Sequence, residues 1–142
     1  MTRMKNTYLL KTEEDTRELG TLLATRAEAG DVIALVGDLG LGKTTLTKAI
    51  AAGLGIREEI VSPTFTLLAQ YESGRLPLYH FDVYRVHDEE ELFELGFMEY
   101  LEGKGLCVVE WADLAKDLMP QDALWVRLVW DAAGKERICT IE

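Results

Sequence analysis

The strongest constraint on this chain lies between residues 32 and 54. Asp31-Val-Ile-Ala-Leu-Val36 reads as a continuous apolar run, the pattern of a strand buried on both faces of a parallel sheet. From Lys43 to Leu54 the apolar residues Leu46, Ala49, Ile50 and Leu54 recur at helical spacing, and Gly55 closes the helix. The connection is Gly37-Asp-Leu-Gly40-Leu-Gly42, half of it glycine. A buried strand must therefore turn sharply into a helix through backbone that few other residues tolerate.

Gly37 to Thr44 fits G-x-x-x-x-G-K-[ST] in the strand–turn–helix setting that this pattern requires. The glycines let backbone N–H groups close around phosphate oxygens, and the helix start adds partial positive charge. Lys43 can then reach the β- and γ-phosphates, and the Thr44 hydroxyl can ligate Mg²⁺. Asp38, Leu39, Gly40, Leu41, Gly42, Lys43, Thr44 and Thr45 are the candidate nucleotide contacts. The dinucleotide pattern G-x-G-x-x-G is absent, because Thr45 stands three residues after Gly42. No Asn/Thr-Lys-x-Asp segment reads guanine, which favours adenine.

Alternating elements flank this unit. Asn6 to Lys11 reads as a short strand. Thr12 and Asp15 form a capping pair for a helix running to about Ala29, where Gly30 stops it. Phe65–Tyr71 and Leu76–Phe81 flank Ser73-Gly74 as a hairpin. Asp88 to Met98 reads as a helix with an acidic start. Leu106-Cys-Val-Val109 is a second buried strand ending at Glu110, and Trp111 to Leu118 reads as a helix ending before Pro120. Leu124–Trp130 and Arg137–Ile141 form a late hairpin around Gly134. Helices between apolar strands imply an α/β fold, a mainly parallel sheet covered on both faces, with antiparallel flanking strands from the hairpins. With 142 residues, 48% of them hydrophobic, the chain is expected to form a single domain, residues 1–142.

Two acids sit where ligands bind in open α/β sheets, at the C-terminal ends of apolar strands. Glu110 resembles a Walker B acid, or is a helix-initiating acid beside Trp111. Asp82, in His80-Phe-Asp-Val-Tyr-Arg85, is a candidate site acid, an ion-pair partner of Arg85, or a turn cap. Ser62-Pro-Thr-Phe-Thr66 either senses a γ-phosphate or is turn chemistry. His80 and His87 lack the partners of a metal site and read as ordinary residues. Cys107 and Cys139 lie in apolar runs and read as reduced core residues.

Composition narrows the partners. A net charge of −10 argues against unaided nucleic-acid binding, which needs a clustered basic surface. The acids Asp88, Glu89, Glu90, Glu91 and Glu94 are a docking face or a solvated helix start. No signal-peptide pattern and no membrane-length apolar run appear, so a cytoplasmic location is expected.

Four segments, GDLGLGKTT (37–45), SPTFTL (62–67), YHFDVYR (79–85) and CVVEWAD (107–113), give the chain a closer resemblance. In their order and spacing the sequence resembles the TsaE family, formerly grouped as YjeE-like ATPases, along nearly its whole length. The resemblance implies a P-loop NTPase three-layer sandwich and ATP with Mg²⁺. It implies Thr44 and Glu110 as metal ligands, Lys43, Asp82 and Glu110 as the catalytic set, and Asp82 near the attacking water. It places Thr12 and the loop at Lys135 near the nucleoside. It also implies action on the TsaB–TsaD protein complex in threonylcarbamoylation of tRNA adenosine 37. Hydrolysis there resets the complex between turnovers, and tRNA is reached only through those partners. Two other classes share the phosphate loop. A small-molecule kinase usually carries an arginine-rich lid, and none reads between Gly55 and Glu110. A nucleotide-gated scaffold with little hydrolysis differs only in its rate of phosphate release.

Overall fold

The computed structural model describes residues 6–38, 40–61, 63 and 66–142. Its elements run β1 (Thr7–Leu10), α1 (Glu13–Arg26), β2 (Val32–Val36), α2 (Lys43–Gly53), β3 (Leu68–Tyr71), β4 (Leu78–Asp82), α3 (Glu89–Leu95), α4 (Phe97–Leu101), β5 (Leu106–Glu110), β6 (Leu124–Trp130) and β7 (Arg137–Ile141). A 3₁₀ segment, Ala112–Leu118, lies between β5 and β6.

The seven strands form one sheet in the order β1-β7-β6-β2-β5-β4-β3. β6, β2, β5 and β4 run parallel, while β1, β7 and β3 pair antiparallel at the flanks. β2, β4 and β5 are buried at every position, as expected for parallel strands covered on both faces. One core layer packs α1 and α2 residues such as Leu19, Leu23, Leu46 and Ile50 on Ile33, Leu35 and Val108. The other packs Leu92, Phe97, Leu101 and Ala115 on Ala34, Phe81 and Val109. Helix–sheet–helix layering is the three-layer α/β sandwich expected from the sequence.

Both hairpins form. Three local expectations are corrected. α1 stops at Arg26, not Ala29, because Ala27 already turns to an extended conformation (ψ 139°). The acidic helix does not run through to Met98: Gly96, with φ of 84°, separates α3 from α4. The stretch after Glu110 is a 3₁₀ segment kinked at Ala115, not an α-helix. Cys107 and Cys139 are free and buried, and burial pushes both thiols up to about 12.

The position of α2 matters most for the site, since it follows the phosphate loop. α1 approaches it closely along a seam of small residues. A Cβ on Gly20 would lie 2.3 Å from the Ala49 Cβ, and one on Gly53 would lie 2.6 Å from the Ala24 Cβ. Gly20→Ala is therefore expected to force the helices apart at a cost of about 1–3 kcal/mol, the range for overpacking. Denaturant unfolding checks this; a variant as stable as the parent would show that the seam has room.

Candidate functional site

β2 ends at Val36 and the chain enters α2 at Lys43. Gly42 occupies the N-cap with φ of 96° and offers no side-chain cap. The first-turn N–H groups of α2 are thus left for an external acceptor. A second constraint acts on Gly42, since a Cβ there would meet Arg137 Nη1 at 2.6 Å. That guanidinium donates to the Leu41 carbonyl at 3.4 Å and to the Thr12 carbonyl at 3.3 Å. Arg137 therefore ties the phosphate loop to the corner between β1 and α1.

A cleft of about 510 Å³ opens over this turn. It is lined by Gly40, Gly42, Lys43, Thr44 and Thr45 from the loop and helix start, and by Asp82, Tyr84, Arg85, Glu110 and Trp111 from the ends of β4 and β5. Parallel pairing of β4 with β5 sets Asp82 directly beside Glu110. The sheet thus brings the three candidate catalytic residues, Lys43, Asp82 and Glu110, to one cleft. Both acids are nearly buried, at 7% and 4% exposure.

Lys43 is the cation among them. Its Nζ donates to the Gly37 carbonyl and lies 3.7 Å from the centre of the Trp111 ring. Burial lowers its pKa, while Glu110 and Asp82 oppose that effect. Burial raises the pKa of Asp82, and the neighbouring Glu110 adds to the shift. Asp82 Oδ1 accepts from the Tyr84 N–H at 3.0 Å, so the turn-cap role read from the sequence is present. Glu110 is the last residue of β5, and its Oε2 pairs with His80 Nε2 at 2.5 Å.

The other expected contacts divide. Leu41 is 2% exposed, so its side chain belongs to the core and only its backbone faces the loop. Asp38 opens on a neighbouring cleft with Trp111, Asp113 and Arg127. Thr12 caps α1 with its hydroxyl and, among the described residues, is linked to the loop through Arg137. Lys135 is exposed in the β6–β7 turn, its N–H donating to Asp131 Oδ1, and it does not line the cleft. Leu39 and three residues of the 62–66 loop, Ser62, Thr64 and Phe65, lie outside the described residues. Thr66 there makes a turn bond to the Leu68 carbonyl. Asp88 caps α3 by accepting from the Glu91 N–H, so part of the acidic cluster is helix-start chemistry.

Three residues at the site were not singled out from sequence. Trp111 holds φ of 61°, a left-handed conformation rare for a bulky residue, and stacks near Tyr84 with centroids 4.6 Å apart. Its backbone outlier costs about 1–3 kcal/mol. Arg137 and His80 complete the set. The signal for His80 was its place two residues before Asp82, on the same face of a strand buried at every position.

The donor set is hard oxygen: the Thr44 hydroxyl and the Asp82 and Glu110 carboxylates. Among the described residues no group of three or more His, Cys, Asp and Glu side chains is arranged to hold a metal. A donor set of hard oxygens fits Mg²⁺, which takes one or two carboxylates and fills its shell with phosphate oxygens and water. Among the described residues no helix is long and apolar enough to cross a membrane.

Comparison with known proteins agrees with this layout. The profile of the family described as "Threonylcarbamoyl adenosine biosynthesis protein TsaE" matches residues 10–138. The tRNA threonylcarbamoyladenosine biosynthesis protein TsaE of Bacillus subtilis (strain 168) is 51% identical over 127 residues, covering 89% of this chain and 78% of that protein. The protein of the same name from Treponema pallidum (strain Nichols) is 44% identical, covering 90% and 94%. The crystal structure of Bacillus subtilis YdiB superposes with a TM-score of 0.79 at 39% identity, covering 99% of this chain and 87% of that one. Strand order, P-loop turn and relatives agree: this chain belongs to the TsaE family of P-loop NTPase fold, whose role is in tRNA threonylcarbamoyladenosine biosynthesis.

Proposed function

We propose that the chain acts as one Mg²⁺-dependent ATPase domain, weak alone, that serves tRNA threonylcarbamoylation through the TsaB–TsaD complex and supports repeated turnovers. The observation that carries the reading is the convergence of the uncapped α2 start, Lys43, Asp82 and Glu110 in one cleft. The loop N–H groups and Lys43 Nζ hold the β- and γ-phosphates. Nζ exchanges the Gly37 carbonyl dipole for a full phosphate charge, a stronger partner. Thr44 and Glu110 would hold Mg²⁺, which when bound would supply charge neutralisation to the phosphates. Asp82 accepts a hydrogen bond from the attacking water and orients it. An acidic chain gains little from direct tRNA contact, so action through protein partners fits its charge. Phosphate release measured with and without TsaB–TsaD tests the reading; no release under either condition leaves the nucleotide-gated scaffold instead.

Three substitutions test the roles separately. Lys43→Ala removes a charge and leaves the loop backbone in place, so calorimetry should find a large loss of ATP affinity in a folded protein. Unchanged affinity removes the phosphate-cradle reading. Glu110→Gln should leave nucleotide binding in EDTA nearly intact and reduce Mg²⁺-dependent hydrolysis; a parental Mg²⁺ dependence would make Glu110 a structural residue only.

Asp82→Asn should bind ATP as the parent does and hydrolyse it on the order of 10²-fold more slowly. Its stability should not fall. Burial raises the Asp82 pKa, so the folded state holds the proton more tightly than the unfolded chain, and ionisation as pH rises costs stability. A neutral amide removes that cost at pH 7. Lower Tm with near-parental phosphate release would instead assign Asp82 to the fold.

A further inference from the structure

We propose that His80 is a positioning residue for Glu110: it fixes one carboxylate oxygen inside the sheet so that the other is presented to Mg²⁺. The inference deepens the proposed function and rests on its Mg²⁺–nucleotide reading.

His80 is fully buried, in a strand whose other members are all buried. Alternation along β4 and β5 puts His80, Asp82, Val108 and Glu110 on one face of the sheet, where Val108 joins the core under α1 and α2. His80 is paired in register with Val108, one step deeper into the sheet than the Asp82–Glu110 pair. An imidazole in such surroundings is costly unless its nitrogens are satisfied. Only one is. Nε2 meets Glu110 Oε2 at 2.5 Å, while Nδ1 is buried and finds no hydrogen-bond partner among the described residues. The ring is thus not a well-satisfied core histidine. Among the described residues its one hydrogen-bond partner is the acid at the mouth of the cleft.

An ionised carboxylate only accepts, so Nε2 carries the hydrogen and donates it. With Oε2 engaged below, Oε1 is the oxygen left for the cleft that Glu110 lines. The carboxylate plane is then set by the sheet and not by solvent. Without the donor, Glu110 can rotate towards Lys43 or take both oxygens into the cleft, and the cation site loses its fixed ligand. Partners that orient metal-binding side chains in this way typically change metal affinity by about 10–100-fold when removed.

The test measures binding, not only turnover. Fluorescent mant-ADP is titrated in Mg²⁺ and in EDTA, and the ratio of the two affinities gives the Mg²⁺ linkage; Mn²⁺ binding to the same complexes is followed by electron paramagnetic resonance. His80→Leu, filling an apolar site, should lower the linkage and Mn²⁺ affinity by about 10–100-fold while leaving affinity in EDTA close to parental. His80→Asn has an amide too short to reach Glu110 and should behave alike, which keeps the test open if the leucine variant does not fold. His80→Gln carries a donor near the Nε2 position and should restore most of the linkage. In a Glu110→Gln background, His80→Leu should change the linkage no further. A folded His80→Leu or His80→Asn with parental linkage overturns the proposal. So does an equal loss of affinity in EDTA, or a full additional loss in the Glu110→Gln background, since both mark a merely structural role. If the parent itself shows no Mg²⁺ linkage and no Mn²⁺ binding, the underlying reading fails and the inference falls with it.

Discussion

The parallel pairing of β2, β5 and β4 fixes everything else at the site. Ligand-facing groups in an open α/β sheet must lie at the C-terminal strand ends, because that is where the crossover connections leave room. Here Leu35 pairs with Glu110, and Glu110 with Asp82, so three adjacent strands end at one level. The loop after β2 then stands beside the two acids with no further adjustment. A slip of one residue in either pairing would turn a carboxylate to the opposite core layer. The cost of burying an unpaired charge there makes the register self-enforcing.

That geometry sets an electrostatic contest. Lys43 faces Asp82, Glu110, Asp113 and Asp38, yet burial still lowers its pKa. Desolvation of the ammonium is the largest influence on it, and the four acids offset only part of that effect. The Trp111 ring face supplies part of the missing solvation of the ammonium. The left-handed Trp111 backbone follows from this arrangement. β5 must end at Glu110, and the chain must swing its next side chain over Lys43 before the 3₁₀ segment begins. Strain of that kind persists only where the surrounding packing over-determines it.

Much of this was legible in residue order. Val32–Val36, the glycine turn and the helical spacing of Leu46, Ala49 and Ile50 specified the central unit, because strand, turn and helix are each local patterns. The acids ending two apolar strands were also visible, since strand ends and open-sheet sites coincide. The helix boundaries failed where one backbone torsion decides, as at Ala27 and Gly96. The pairing of β1 with β7 was not visible, because nothing local in Asn6–Lys11 names a partner so far along the chain. His80 was read as ordinary for the same reason: its meaning comes from Glu110, which only the β4–β5 register brings within reach.

The edge of the sheet carries the last step. β1 and β7 pair Leu10 with Arg137, and β6 pairs Trp130 with the same arginine. Arg137 therefore emerges beside Thr12, the cap of α1, and under the carbonyl of Leu41 in the phosphate loop. A planar guanidinium with several fixed donors can serve two carbonyls at once, which a lysine ammonium on a flexible stem does poorly. Gly42 is favoured there by its left-handed φ, and a Cβ would in addition push the Arg137 guanidinium from its place. It also gives the remote termini a part in the site. The β1–β7 edge is not a passive border but a brace, holding the loop's outer side while the β2–β5–β4 register holds its inner side. The described part of the loop is held at Leu41 by Arg137 and at Gly37 by Lys43, and these contacts limit the freedom of its backbone.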